Sequence, residues 1–140
     1  MKKRFLSFVL AVICMSSFCV GAAFATESRA STTLTNFPVS LVKGDKTGEI
    51  KIFYDVQAKQ IADSVGVSSI EIYKSDGTYV TTITGSTSNG LVRNSVSRHR
   101  STYTYTGTSG TSYYAEVTVF AKIGSDYDSR TVTTATVKAP

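Results

Sequence analysis

An apolar residue at every second position in two stretches constrains the fold of this chain more than any other feature. In residues 49–58 and again in residues 113–122, every second side chain is apolar. Successive side chains of a strand point to opposite faces of the sheet, so a period of two predicts strands with one dry and one wet face. The apolar positions are Ile50, Ile52, Tyr54, Val56 and Ala58 in the first stretch, and Tyr113, Ala115, Val117, Val119 and Ala121 in the second.

Turn signals separate these two stretches from five further candidate strands. The further segments are rich in Val, Ile, Thr and Tyr, and Asp76-Gly77 is typical of a tight hairpin. Seven short strands with almost no helix predict an all-β fold, an immunoglobulin-like Greek-key antiparallel β-sandwich. In residues 59–67, however, apolar side chains at helical spacing predict one helical turn that crosses between sheets. For residues 91–101, a strand and an irregular crossing both remain open.

The first 25 residues have the features of an export signal. A basic head at residues 2–4 precedes an apolar run over residues 5–20, and small residues then lead to Ala25. This order predicts a signal peptide over residues 1–25, cleaved between Ala25 and Thr26. A retained membrane anchor is the alternative, but the run is short for one. We therefore expect a secreted, extracellular protein with no membrane association after cleavage, a flexible lead-in over residues 26–36 and a β domain over residues 37–140.

Cysteine and charge exclude several classes of function for the mature chain. Both cysteines, Cys14 and Cys19, lie inside the signal peptide, so a disulfide scaffold, a thiolate metal site and a catalytic cysteine are excluded. Cleavage also removes three of the 15 basic residues and leaves 12, against 10 acidic residues, for a net charge of +2. So small an excess gives no support to nucleic-acid binding. The domain is long enough to bury a core without disulfides, so it needs no metal or partner to fold. No cofactor is expected.

Two segments carry a resemblance to known families. Residues 110–117 (GTSYYAEV) and 121–125 (AKIGS) resemble the last hairpin of fibronectin type III and related immunoglobulin-like domains. Residues 68–85 (SSIEIYKSDGTYVTTITG) and 105–121 resemble an uncharacterised family of small proteins secreted by Gram-positive, often gut-associated bacteria. The first resemblance implies a β-sandwich, and neither implies catalytic residues. Immunoglobulin-like domains typically have a core Trp, which is absent here, so another Greek-key topology stays open.

Five residues form the candidate ligand-binding set. Arg98, His99 and Arg100 predict an anion-binding patch, because Arg forks suit the phosphate, sulfate or carboxylate groups of a surface polymer. The alternative for His99 is a solvated loop histidine. Tyr103 and Tyr105 share one face of their strand. Their rings would stack against sugars or anchor a protein partner, and the alternative is that they form part of the core.

The remaining polar residues give no sign of catalysis. His99 is the sole histidine, and no Gly-x-Ser-x-Gly elbow accompanies it, so a catalytic triad is not expected. Asp126 and Asp128 would make a thin calcium site, and a solvent-facing turn is the alternative. We therefore expect a non-enzymatic protein that binds or associates with an extracellular protein or glycan, in an oligomeric state left open. The alternatives are a small hydrolase and a secreted enzyme inhibitor, whose rigid loop would be residues 85–100.

Overall fold

Eight antiparallel strands and no helix make up residues 33–140, the part of the chain that the computed structural model describes. The predicted signal peptide of residues 1–25 and its cleavage site lie outside the described residues. No helix in the described part is long and apolar enough to cross a membrane. The strands are β1 (Leu34–Asn36), β2 (Val39–Lys43), β3 (Glu49–Lys74), β4 (Tyr79–Thr84), β5 (Val92–Thr106), β6 (Ser112–Ile123), β7 (Asp126–Thr133) and β8 (Val137–Lys138).

The long strand β3 is the centre of the fold. Along one edge of β3, β5 pairs from Glu49 to Gly66 and β4 pairs from Ser69 to Tyr73. Along the other edge, β1 and β2 pair with the first half and β6 pairs from Ser64 to Lys74. A straight strand of 26 residues would be about 86 Å long, whereas a globular domain of this size is only about 34 Å across. The strand therefore bends, and the sheet curls so that both halves contribute to one core.

Buried positions along β3 show where it bends. The buried side chains have even numbers from Ile50 to Ala62, odd numbers at Val65 and Val67, and even numbers again from Ile70. The second change coincides with a shift of strand register between Val67 and Ser69. One extra residue in β3 at this point turns the following side chains to the other face. A further register shift lies between Gln57 and Ala62, where the buried positions keep even numbers.

Gly66 allows the bent strand to pass close to the segment before β5. Its φ is +149°, and a Cβ at this position would lie 2.1 Å from the carbonyl oxygen of Leu91. That carbonyl accepts a hydrogen bond from the amide of Val67 at 2.8 Å. A side chain at residue 66 would thus break a contact that joins β3 to the chain entering β5.

The structure confirms the all-β antiparallel class and the Asp-Gly hairpin. Residues 75–78 join β3 to β4, with Gly77 at a φ of +86° and its amide donating to the carbonyl of Lys74. The two alternating stretches lie in β3 and β6, with their apolar side chains buried. These parts were predictable because the residues themselves select a strand and a tight turn.

Two local expectations are wrong, and one that was left open is decided. The helical turn predicted over residues 59–67 is part of β3, because Ile61, Ala62 and Val65 fit a strand that changes faces as well as they fit a helix. For residues 91–101, where a strand and an irregular crossing were both open, the strand is confirmed from residue 92 onward, in β5. The flexible lead-in predicted over residues 26–36 reaches into β1, whose Leu34 is buried and pairs with Ala58, so the ordered domain includes residues before position 37.

Candidate functional site

A groove of about 440 Å³ lies on the solvent-facing side of the sheet's first half, across β2, β3 and β5. We call it the outer groove. It is lined by Pro38, Val39, Ser40, Phe53, Tyr54, Asp55, Arg100, Ser101 and Thr102.

Strand register explains why these residues meet. Phe53 on β3 lies between Ser40 on β2 and Thr102 on β5, and in the next outward-facing row Asp55 lies beside Arg100. Phe53 remains 42% exposed although it is a large aromatic residue. Its two cross-strand neighbours have short hydroxyl side chains, so the ring stands above them with open space on both sides.

The charge in and beside the outer groove is positive, because Arg98, which does not line the groove, adds to the charge of Arg100. Arg98 binds Asp55 through two hydrogen bonds, from Nε to Oδ1 at 2.7 Å and from Nη2 to Oδ2 at 2.5 Å. These bonds, together with the charges of Arg98 and Arg100, lower the pKa of Asp55. The guanidinium of Arg100 makes no salt bridge with any residue in 33–140, so two cations face one carboxylate and leave a local charge of +1.

His99 does not share a face with the two arginines. Its neighbours on β5 are exposed, whereas His99 is 6% exposed and points to the inner side of the sheet. Its Nε2 donates to the carbonyl oxygen of Gly90 at 2.7 Å, and the hydroxyl of Tyr54 donates to the same oxygen at 3.0 Å. Because a carbonyl oxygen can only accept, Nε2 carries a hydrogen atom. Burial raises the pKa of the Tyr54 hydroxyl.

This pair of donors holds the loop between β4 and β5. Within the loop, the Asn89 side chain accepts hydrogen bonds from the amides of Ser86 and Leu91 and donates to the carbonyl of Thr84. The loop is therefore residues 85–91, shorter than the 85–100 expected for an inhibitor loop, because residues 92–100 lie in β5. His99 is neither part of an anion patch nor a solvated loop residue. It positions this loop.

Tyr103 and Tyr105 lie on the inner face of β5. Both are partly buried and pack against the hydrophobic core. The Tyr105 ring meets the buried ring of Tyr113 edge to face, with centroids 6.0 Å apart. The Tyr113 hydroxyl in turn accepts a hydrogen bond from the amide of Thr108 at 2.8 Å. Of the two interpretations of these tyrosines, the structure places them with the core.

Asp128 is engaged by protein groups. One of its oxygens lies 2.8 Å from Nη1 of Arg130, and the other faces the amides of Thr33 and Leu34 at 3.4 and 3.5 Å. These contacts join β7 to β1, and a calcium ion would have to compete with them. Asp126 is exposed at the start of β7. Within residues 33–140, no group of three or more His, Cys, Asp or Glu side chains is placed to hold a metal ion.

The sequence predicted one residue of the outer groove, Arg100, but not the residues that surround it. Arg100 was selected as an anion ligand, whereas Phe53 could be seen in the sequence only as an apolar residue on the polar side of an alternating strand. Asp55 gave no signal, because its contact with Arg98 joins residues 43 positions apart. That contact depends on the register between β3 and β5, which no local pattern encodes.

Comparison with known proteins yields one distant structural likeness. No protein-family model and no curated protein matches the chain. Among solved structures, a family 76 glycoside hydrolase from a bovine Bacteroides thetaiotaomicron strain is similar over 75% of this chain, with a TM-score of 0.43 and 14% sequence identity. The similar region spans 20% of that chain. A likeness this distant carries no information about activity.

Proposed function

We propose that this protein is a secreted, non-enzymatic β-sandwich domain of immunoglobulin-like type that binds an acidic group of an extracellular polymer in the outer groove. The observation that carries the proposal is the uncommitted guanidinium of Arg100 beside the exposed ring of Phe53. A guanidinium presents a planar fork that matches carboxylate and sulfate groups, and an aromatic ring offers a surface for the apolar face of a sugar.

The groove residues divide this task between them. Asp55 and Arg98 hold each other in a bidentate pair, which leaves Arg100 as the cation available to a ligand. The hydroxyl groups of Ser40 and Thr102 flank the ring of Phe53 and can donate to or accept from a saccharide. A ligand that lies across the three strands would meet the charge, the ring and the hydroxyls together.

The same residues favour binding over turnover. Asp55 is the one carboxylate in the groove lining, and the hydrogen bonds from Arg98 that lower its pKa keep it ionised at neutral pH. An ionised carboxylate already paired with a guanidinium is a poor proton donor. No nucleophile and base lie within hydrogen-bonding distance of each other among the lining residues, as a hydrolase would require.

Polymer binding by matched variants tests the proposal. Retention on immobilised heparin, which carries sulfates, and on polygalacturonate, which carries carboxylates, is measured against uncharged dextran. Losing one charge-assisted bidentate contact costs about 2 kcal/mol, so Arg100→Ala is expected to weaken binding to the preferred acidic polymer by about thirtyfold. Arg100→Lys keeps the charge without the fork and should recover only part of the loss.

Arg93→Ala is the matched control, because Arg93 is exposed on β5 and its loss changes the net charge equally. This control should stay within about twofold of the parent protein, as expected for a dispersed surface charge. Equal losses in the Arg93 and Arg100 variants would show a diffuse charge effect and contradict a built site. Failure of the parent protein to bind either acidic polymer would overturn the proposed ligand class.

A further inference from the structure

A row of three tyrosines crosses the solvent-facing side of the sheet's second half. Tyr79 on β4, Tyr73 on β3 and Tyr114 on β6 lie side by side in the strand register. The rings of Tyr73 and Tyr114 are stacked, with centroids 5.2 Å apart and an interplanar angle of 11°. Tyr79 meets Tyr73 edge to face at 5.8 Å and is 56% exposed. The row therefore ends in an open ring at the edge of the sheet.

Two carboxylates stand beside this row. Glu71 on β3 lies directly opposite Glu116 on β6, and neither forms a salt bridge with any residue in 33–140. Glu71 accepts a hydrogen bond of 2.6 Å from the hydroxyl of Tyr73. Like charges placed directly opposite each other destabilise a sheet, so a cation that reaches this surface would be attracted. We call Glu71, Tyr73, Tyr79, Tyr114 and Glu116 the acidic tyrosine face.

The strand beside this face has an open edge. Among the described strands, β4 pairs only with β3, so its outer edge presents amide and carbonyl groups that no strand pairs. At its last residue, the carbonyl of Thr84 accepts from the side chain of Asn89. Edge strands are commonly protected by charged residues or proline. The sequence of β4, YVTTIT, contains neither. This edge is therefore a template for one further strand.

We propose that the outer edge of β4 and the acidic tyrosine face together bind an extended segment of another polypeptide that carries Lys or Arg at alternate positions. The segment adds a strand to the sheet, and its outward side chains lie on the same side as Tyr79 and Glu71. An added strand lies about 10 Å from β3, two strand spacings away, so an outward Arg or Lys can extend over Tyr79 towards the carboxylate of Glu71. Glu116, one strand further, contributes through its charge.

The two observations together select this occupant. The acidic tyrosine face requires a cation. The open edge of β4 requires a chain whose amide and carbonyl groups repeat at the spacing of a strand, and an amino-sugar polymer has no such groups at that spacing. A second copy of this protein joined through its own β4 would bring two acidic faces side by side. Charge repulsion therefore opposes that arrangement.

Designed peptides test the proposal with the protein itself. The probe is a capped peptide of alternating Lys and Thr of about eight residues, enough for one strand. Isothermal titration is expected to show binding that is at least about tenfold stronger than that of the Glu and Thr counterpart. Two further versions carry N-methyl groups at alternate residues, one on each edge of the peptide. The version methylated on the pairing edge should lose binding, because it cannot donate to β4.

Variants of the protein locate the site. Thr82, on β4, lies opposite Glu71, on β3. Thr82→Lys therefore places a positive charge beside that carboxylate and also protects the edge of β4 against pairing. Glu71→Gln removes the charge alone. Each is expected to weaken binding of the Lys and Thr peptide by about tenfold or more. The charge-matched controls are Thr47→Lys, in the turn before β3, and Asp126→Asn, at the start of β7; both positions are exposed, and binding should stay within about twofold.

Several results would overturn the proposal. Equal affinity of both N-methylated peptides and the parent peptide would exclude strand addition. Binding of a chitosan oligosaccharide as strongly as the Lys and Thr peptide would assign the face to an amino glycan. Light scattering that shows a dimer abolished by Thr82→Lys would make a second copy the occupant. Circular dichroism of each variant confirms that a loss of binding is not a loss of fold.

Discussion

Removal of the two hydrogen-bond donors that share the Gly90 carbonyl should destabilise the protein by more than the sum of the single changes. Tyr54→Phe removes one hydroxyl donor 3.0 Å from this oxygen but leaves His99 in place. Such a hydrogen bond contributes a net stabilisation of about 1 kcal/mol, so Tyr54→Phe is expected to lower the free energy of unfolding by that amount. His99→Ala removes the second donor and also the edge-to-face contact with Tyr54, whose centroid lies 5.4 Å away. It also leaves a cavity, so a cost of about 2–4 kcal/mol is expected.

The double variant carries an additional cost. With either donor present, the Gly90 carbonyl keeps one strong hydrogen bond, whereas with neither it depends on water in a partly buried position. Leaving an acceptor unpaired costs about 1–3 kcal/mol when it is buried, so partial burial suggests an excess of about 1 kcal/mol over additivity. For a domain of this size, His99→Ala alone should lower the melting temperature by about 8–16 °C.

Urea unfolding followed by tyrosine fluorescence measures these changes, since the chain contains no Trp. Hydrogen exchange gives a second readout, because the amides of the 85–91 loop should exchange faster in both the His99→Ala and double variants. Free energies that add to within about 0.4 kcal/mol would refute the sharing of one acceptor. A His99→Ala variant as stable as the parent would refute the role of His99 as the loop's anchor.

Three further predictions follow from single contacts. The hydrogen bond that Glu71 accepts raises the pKa of Tyr73 to about 12, so the stability that this bond contributes is present below about pH 10 and is lost as the pH rises towards 12. Glu71→Gln should lower the pKa of Tyr73, so that tyrosinate absorbance develops at a lower pH. An unchanged titration of Tyr73 would contradict this. Gly66→Ala should lower the free energy of unfolding, measured in urea, by at least about 3 kcal/mol, because the new Cβ would clash with a carbonyl oxygen. Gly77→Ala, with open space around it, should lower it by only about 1 kcal/mol. Calcium and a chelator should leave the melting temperature unchanged, because Asp128 already binds protein groups, and a rise with calcium would refute this.

Sequence reasoning predicted the strands whose side chains alternate without interruption. Along residues 50–58 and 113–119, buried side chains alternate with less buried ones without a break, so their period of two survives in the fold. It failed where a strand changes faces. Val92 and Val96 are apolar at a spacing of four, and Ser95 between them has a φ of 57° without a glycine to indicate it. A bend that a non-glycine residue adopts leaves no local sign in the sequence.

The candidate sites show the same limit at longer range. Arg100 could be predicted as an anion ligand because a guanidinium can bind an anion whatever its position in the fold. The burial of His99 depends on which face of β5 turns inward, and the pairing of Arg98 with Asp55 depends on the register between two distant strands. The row of Tyr73, Tyr79 and Tyr114 likewise exists only after β3 has aligned with both β4 and β6. Such contacts follow from topology rather than from residue type.

The central position of β3 has a consequence for the order in which the molecule can fold. β3 ends at Lys74, but the strands that complete its two halves, β5 and β6, come later and end at Thr106 and Ile123. A chain emerging amino end first therefore holds a long strand with one apolar face and with most of its partner strands still missing. Contacts so distant along the chain favour slow folding, which starts only when most of the chain has been made. Truncation near the carboxyl end should thus leave no stable fragment, because no early segment is a complete folding unit.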